Sequence, residues 1–372
     1  MNTFDTSVDR IETRASWFEC LRWELAPAPD RWKMTIRLVV TAVLVTIISM
    51  TLEVPNVALS AYMVFFVTKA NRLLTTLSGV LLIVGVTVAI AANILFLKWT
   101  LDFPMLRVIT MAAALFVGMW LSRVFVIGPL AFAIGFVMSV GQSFVDTAHG
   151  PEIAVRSLLW LWVLVVYPIA LTVVMNQILL PTPPGREKPS APAGKKKGLF
   201  VADAFTNPTH VQFALKVTIA AMTCYFIYTG VDWSGIHTAF ITCCIIALES
   251  TGATLRKGWL RLCGCLIGGA LGFLSILYLV PRMETIASLA LLTAAVSALA
   301  GWIAAGSPRI AYSGLQMAFA FYLAIFQGFA PATDLDEIRD RIVGIVLGIA
   351  VTTVVFQGLW PEEEKPAPTV SH

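Results

Sequence analysis

Charge is what this sequence has least of. Asp, Glu, Lys and Arg make up 13% of 372 residues while 58% are apolar. A soluble domain carries about 25% charged residues, so an ordinary water-soluble globule is excluded. No acidic residue stands near the middle of an apolar run. A charge at the bilayer centre costs about 2.5–3.5 kcal/mol on insertion scales and is kept for ion or proton relays. The intramembrane carboxylate of a proton pump is therefore missing. Any proton-linked groups sit at the vestibules, with Glu152, Glu337, Asp232, Glu249 and His237 as candidates, the last titrating near neutral pH.

Metal and catalytic patterns are missing too. Six cysteines lie mostly within apolar runs, and Cys263-x-Cys265 has neither a second pair nor a histidine at ligand spacing, which reads as packing rather than a metal site. The four histidines are scattered, and no nucleophile–base pair or phosphate loop occurs. No catalytic residue, metal, cofactor or nucleic-acid partner is expected. No apolar core precedes Trp32, so no cleavable signal is expected and the first span serves as its own insertion signal.

What is present is a series of long apolar runs, with mean hydropathy +0.82. A helix of about 20 residues crosses the roughly 30 Å hydrocarbon core. The runs predict an all-α membrane protein of about twelve transmembrane helices, at 32–52, 57–68, 73–97, 105–121, 125–145 and 153–180. A second set follows near 211–230, 235–248, 259–280, 285–305, 310–328 and 339–359. Residues 1–31 read as a cytoplasmic amphipathic lead-in, or as a solvated tail. Residues 181–209, rich in Pro and Gly and carrying Lys195-Lys196-Lys197, form a basic cytoplasmic linker. Residues 361–372 are a cytoplasmic tail.

The two sets resemble each other. Arg309 stands five residues before Gly314, as Arg123 stands five before Gly128. Gln327-Gly328-Phe329 matches Gln142-Ser143-Phe144, and ten residues after each glutamine come Glu337 and Glu152, then Arg341 and Arg156. This predicts two parallel six-helix repeats, 32–180 and 210–360, related by an axis along the membrane normal with a transport path at their interface. With the amino terminus inside, Lys and Arg fall overwhelmingly on the cytoplasmic side, which places both termini there.

Each Glu–Arg pair is four residues apart, on one face of a helix start. Glu152/Arg156 and Glu337/Arg341 then border an outer vestibule, or serve only as interfacial salt bridges. Gln142, Gln316 and Gln327 either line a path or hydrogen-bond a neighbouring helix. Lys69 and Arg72 in one half, with Arg256, Lys257 and Arg261 in the other, converge on the cytoplasmic mouth. They collect an anionic solute, or simply express the positive-inside bias. Gly264 and Gly268 form a small-xxx-small face for close helix contact.

Several stretches carry a family resemblance. They are Ile48-Ser49-Met50-Thr51-Leu52-Glu53-Val54-Pro55, Ala202-Asp203-Ala204-Phe205-Thr206-Asn207-Pro208, Gly230-Val231-Asp232-Trp233-Ser234-Gly235-Ile236-His237-Thr238, and Glu337-Ile338-Arg339-Asp340-Arg341 with Trp360-Pro361-Glu362. The chain resembles the fusaric acid resistance and aromatic acid exporter family across nearly all of both membrane halves. The resemblance implies an inner-membrane efflux component of Gram-negative bacteria. It would work with a periplasmic adaptor and an outer-membrane channel, drive export of aromatic acids or drugs with the proton gradient, and be able to homo-oligomerise. Relatives carry long soluble domains that this chain lacks. A passive anion channel, or a non-transporting scaffold for an adaptor, are the alternative readings.

Overall fold

The computed structural model describes residues 24–27, 31–69, 71–147, 150–179, 199–247, 251–327, 330–331 and 336–360. The lead-in up to 23, the linker over 180–198, the tail and Glu249 lie outside the described residues. Twelve α-helices follow one another among the described residues. The first six are α1 (Arg31–Thr51), α2 (Val57–Val67), α3 (Arg72–Thr100), α4 (Pro104–Val124), α5 (Gly128–Thr147) and α6 (Pro151–Leu179). The second six are α7 (Pro208–Gly230), α8 (Thr238–Ile246), α9 (Thr251–Tyr278), α10 (Ile286–Ala304), α11 (Ala311–Ile325) and α12 (Asp336–Gly358). The chain is an all-α membrane protein, apart from two residue pairs, Phe326–Gln327 and Ala330–Pro331, that meet as a minimal antiparallel ribbon.

Local chemistry sets the helix starts. Asn56, Asn71, Asn207 and Thr285 accept a backbone N–H with their side chains at the starts of α2, α3, α7 and α10, satisfying a donor that would otherwise be orphaned in an apolar medium. Pro104 and Pro208 stand in the first turns of α4 and α7, where the missing N–H costs nothing.

Helices divide by length. Nine are long and apolar enough to cross a membrane, and α3, α4 and α9 leave large apolar side chains such as Leu74, Leu95, Ile109 and Leu274 exposed for lipid. The three short helices are different. α2 has 11 residues, about 16 Å of rise, well short of the hydrocarbon core. It is almost wholly buried, as are α8 and α11. Short helices at membrane depth are tolerated where protein surrounds them, and these three form the interior.

The pairing order of the first six helices recurs in the last six. α2 packs on α1 and α6, α5 on α3 and α4, and α3 on α6. Likewise α8 packs on α7 and α12, α11 on α9 and α10, and α9 on α12. Between the halves, α1 meets α10 and α4 meets α7. One contact has no counterpart: α2 packs on α11, but α8 and α5 make no comparable contact among the described residues. Both inter-half seams are apolar in their middle. Leu38, Ala42 and Val45 face Val296 and Ala300 in one, and Met111, Leu115 and Met119 face Val217 and Ala221 in the other.

The turns after α1 and α7 share their backbone hydrogen bonds. Leu52, Glu53 and Val54 donate to Ile48, Met50 and Ser49, while Val231, Asp232 and Trp233 donate to Ile227, Thr229 and Tyr228. Glu53 and Asp232 both take the left-handed conformation, at φ 50 and φ 52.

The tightest pair is α9 on α11, through Gly264, Gly268 and Gly272. A Cβ at Gly268 would lie 2.2 Å from the Met317 carbonyl oxygen, so only glycine permits this approach. Gly268→Val should cost at least the roughly 1–3 kcal/mol of an overpacked core and lower both membrane yield and melting temperature. Gly252→Ala, with nothing within 4 Å of the added carbon, should match wild type in the same thermal assay.

Candidate functional site

Close α9–α11 contact brings together residues from opposite ends of the bundle. Arg261 lies ten residues into α9, about 15 Å from its start. Arg341 lies five residues into α12, whose first turn is at the other end, beside the turn Ser234–His237. Both reach the second turn of α11. Arg261 Nη1 donates to Gln316 Oε1 at 3.1 Å and Arg341 Nη2 donates to the same oxygen at 3.2 Å. Arg261 is 1% exposed, Arg341 5% and Gln316 0%.

Neutral groups complete the surroundings. Arg261 also donates to the Tyr312 hydroxyl and the Thr242 hydroxyl, each at 3.2 Å. Arg341 lies over the Phe319 ring, 4.1 Å from its centroid, and near Cys265. Among the described residues neither guanidinium has a carboxylate partner. Arg341 Nε and Gln316 Nε2 are buried without an acceptor. The cluster thus has donors in excess and a single amide oxygen to share. Buried charges ordinarily come paired, and an uncompensated guanidinium costs several kcal/mol. Lys257, one turn before Arg261, lies over the Tyr312 ring and caps the Ile245 carbonyl at the end of α8, leading from the basic end of α9 toward the cluster.

The remaining candidates are distributed differently. Lys69 and Arg256 are exposed and Arg72 is half-buried, whereas Arg261 is deep inside rather than at the mouth. Arg72 offers its carbonyl to Asn176, whose side-chain oxygen accepts from the buried Arg37. Glu152 and Arg156 form an exposed ion pair of a kind worth about 0–1 kcal/mol. Glu337 and Arg341 do not pair: Glu337 stays exposed while Arg341 turns inward to Gln316. The equal spacing of the two Glu–Arg motifs therefore hides opposite orientations. Asp232 is exposed, and exposed His237 turns its Nδ1 to the Ser234 carbonyl in its own helical turn. Gln327 falls outside α11, in the two-residue ribbon.

Gln142 is fully buried in a neutral network. Its amide donates to Asn93 Oδ1 at 3.0 Å and accepts from Thr100 at 2.8 Å, while Asn93 donates to the Val137 carbonyl. Every bond ties α3 to α5, which is the helix-joining role.

Two polar groups went unnoticed in the sequence. Asp146 at the end of α5 holds Arg107 of α4 and accepts from the Tyr225 hydroxyl of α7 at 2.9 Å, linking the halves. At the opposite end of that seam Arg123 donates to His210 Nδ1 at 3.2 Å, and His210 Nε2 faces Asp203 at 3.5 Å. The Asn207 amide holds the Asp203 carboxylate below its usual range. Tyr62 of α2, discussed below, was equally silent.

With this geometry in view, comparison with known proteins is informative. The family described as fusaric acid resistance protein-like matches residues 219–355, which contain Thr242, Arg261, Tyr312, Gln316, Phe319 and Arg341. The chain is 27% identical to the multidrug resistance protein MdtO of Escherichia coli O157:H7, over 90% of this chain and 70% of that one. It is 26% identical, with the same coverage, to MdtO of Escherichia coli K12 and of Shigella flexneri. No solved structure matches. Nine membrane-length helices and these relatives support a multi-pass membrane transporter of the resistance type. Residues 219–355 are thus similar to the fusaric acid resistance protein-like family, in a chain similar to multidrug resistance proteins along nine-tenths of its length.

Proposed function

We propose that this chain exports small anionic compounds, aromatic acids foremost, across the bacterial inner membrane, and that Arg261, Arg341 and Gln316 bind the exported anion. The observation that carries the reading is the pair of buried guanidiniums sharing one amide oxygen with no carboxylate among the described residues. Intramembrane charges that face a bundle interior mark substrate or ion pathways. Phe319 and Tyr312, lining the same site, suit a flat ring attached to the anionic group. Lys69, Arg72, Arg256 and Lys257 attract the solute to the cytoplasmic mouth, and both termini lie on that side.

The same proposal includes the internal duplication, with domains 32–180 and 210–360 as copies, supported by the recurring helix pairings and the matched turns at Glu53 and Asp232. Rocking of one copy against the other alternates access. The proposal further includes a tripartite pump with a periplasmic adaptor protein and an outer-membrane channel, driven by the proton gradient, a reading the likeness to multidrug resistance proteins supports. A passive anion channel is the second reading, favoured by the lack of any mid-span acidic residue. A protonophore should abolish uphill export in the first case and leave downhill flux intact in the second.

In proteoliposomes loaded with radiolabelled benzoate, Arg261→Gln and Arg341→Gln should each reduce flux at least tenfold at equal protein content. Wild-type flux in both variants would reject the site. A thermal-shift assay gives an independent check. Millimolar benzoate should raise the melting temperature of wild type and leave that of Arg341→Met unchanged. Without benzoate, Arg341→Met should melt no lower than wild type, because it removes an uncompensated buried charge.

A further inference from the structure

The anion site belongs to the second half except for one side chain. Tyr62 comes from α2 in the first half, is 6% exposed, and stacks on Phe319 with ring centroids 4.1 Å apart and planes 23° from parallel. Arg341 also lies over Phe319, at 4.1 Å. Phenol, benzyl ring and guanidinium thus form one stack that runs from α2 through α11 to α12. The Tyr62 hydroxyl lies within electrostatic reach of Tyr312, Arg261, Arg341 and Gln316, the groups that define the site. It offers an O–H donor beside the Gln316 side chain, whose Nε2, like Arg341 Nε, is buried without a hydrogen-bond acceptor among the described residues.

The stack also occupies an inter-half helix contact without a counterpart among the described residues, α2 on α11. Counting from the matched turns, Tyr62 stands nine residues after Glu53, and Ile241 nine after Asp232. An aliphatic side chain therefore holds the equivalent place on α8, and no second stack of this kind is available there.

We propose that Tyr62 is the first half's contribution to substrate binding. Its hydroxyl donates to the bound anion, and its ring holds Arg341 in position through Phe319. The site is complete only while α2 rests on α11, so parting of the halves at this contact weakens binding and releases the substrate. The inference rests on the proposed anion site and adds to it the coupling between occupancy and the relative position of the halves.

The two roles of Tyr62 separate by substitution. Benzoate is the probe, with affinity measured on purified full-length protein and initial flux measured in proteoliposomes. Tyr62→Phe keeps the ring and loses the donor, so the dissociation constant should rise on the order of tenfold, as for a lost hydrogen bond to a charged group, with maximal flux preserved. Tyr62→Leu loses the stack as well, so maximal flux should fall severalfold further and be rescued by the phenylalanine variant. A disulfide engineered across α2 and α11 should trap bound benzoate and stop flux, with both restored on reduction. If Arg261→Gln and Arg341→Gln impair binding while Tyr62→Phe and Tyr62→Leu behave as wild type, the role of Tyr62 is wrong and the anion site stands. If wild type and all variants fail to bind benzoate, the anion site itself is wrong and this inference falls with it. A uniform loss of folded protein in Tyr62→Leu, with unchanged affinity in Tyr62→Phe, would make Tyr62 a packing residue and overturn the proposal.

Discussion

Two guanidinium groups held against one amide oxygen, in a medium that solvates charge poorly, set the terms for the rest of this molecule. In water the repulsion between Arg261 and Arg341 would be slight. At an effective dielectric constant near 20, two unit charges a few ångströms apart interact by about 4 kcal/mol, and each also bears its own desolvation cost. Sequence positions chosen for stability alone would carry leucine or methionine. The surrounding helices must hold Gln316, Tyr312 and Thr242 in place firmly enough to keep the arginines inside.

That firmness comes from glycine. Gly264, Gly268 and Gly272 let α9 lie directly on the backbone of α11, with the Ser313 and Met317 carbonyls where side chains would otherwise be. Gly344 and Gly348 do the same for α12 on α8. Without a hydrophobic driving force between helices in lipid, close packing of this sort supplies the association energy. It also fixes the register, since moving α9 by one residue would carry Arg261 off the Gln316 face. The same contacts exclude a carboxylate: near the cluster the walls are glycine, threonine, cysteine and aromatic rings.

Composition and periodicity made the membrane class, the helix order and most helix limits readable, because lipid imposes long apolar runs whose ends are marked by Asn, Thr and Pro. The site was readable in part. Arg261 and Gln316 stand out as polar residues within apolar sequence. What sequence could not say is that they meet, since the contact depends on the α9–α11 register. Arg341 misled for a specific reason. Its spacing from Glu337 equals that of Arg156 from Glu152, yet two residues after Gly128 the first half has Leu130, where Gln316 follows Gly314. Arg156 finds no acceptor in the interior and turns to water and Glu152. Tyr62 gave no signal at all, being one aromatic residue in a run of apolar ones.

The consequence is a frame that recurs around buried charges that are held differently. Matched turns at Glu53 and Asp232, and matched helix pairings, give the halves a common pattern of turns and contacts among the described residues. In the second half the buried Arg261 and Arg341 share one amide oxygen, whereas in the first half the buried Arg31 donates to the Trp302 carbonyl and the buried Arg37 to the Asn176 side chain and the Lys69 carbonyl, and the set Asn93, Gln142 and Thr100 is neutral. Within that common pattern the buried guanidiniums of the two halves are partnered differently. The half that holds Arg261 and Arg341 draws the Tyr62 helix onto α11, and the equivalent approach of α8 to α5 has no aromatic–cation stack to favour it. By reciprocity an anion held jointly by Arg341 and Tyr62 strengthens the α2–α11 contact, which makes this unmatched contact a physical handle by which a bound solute can act on the position of the halves.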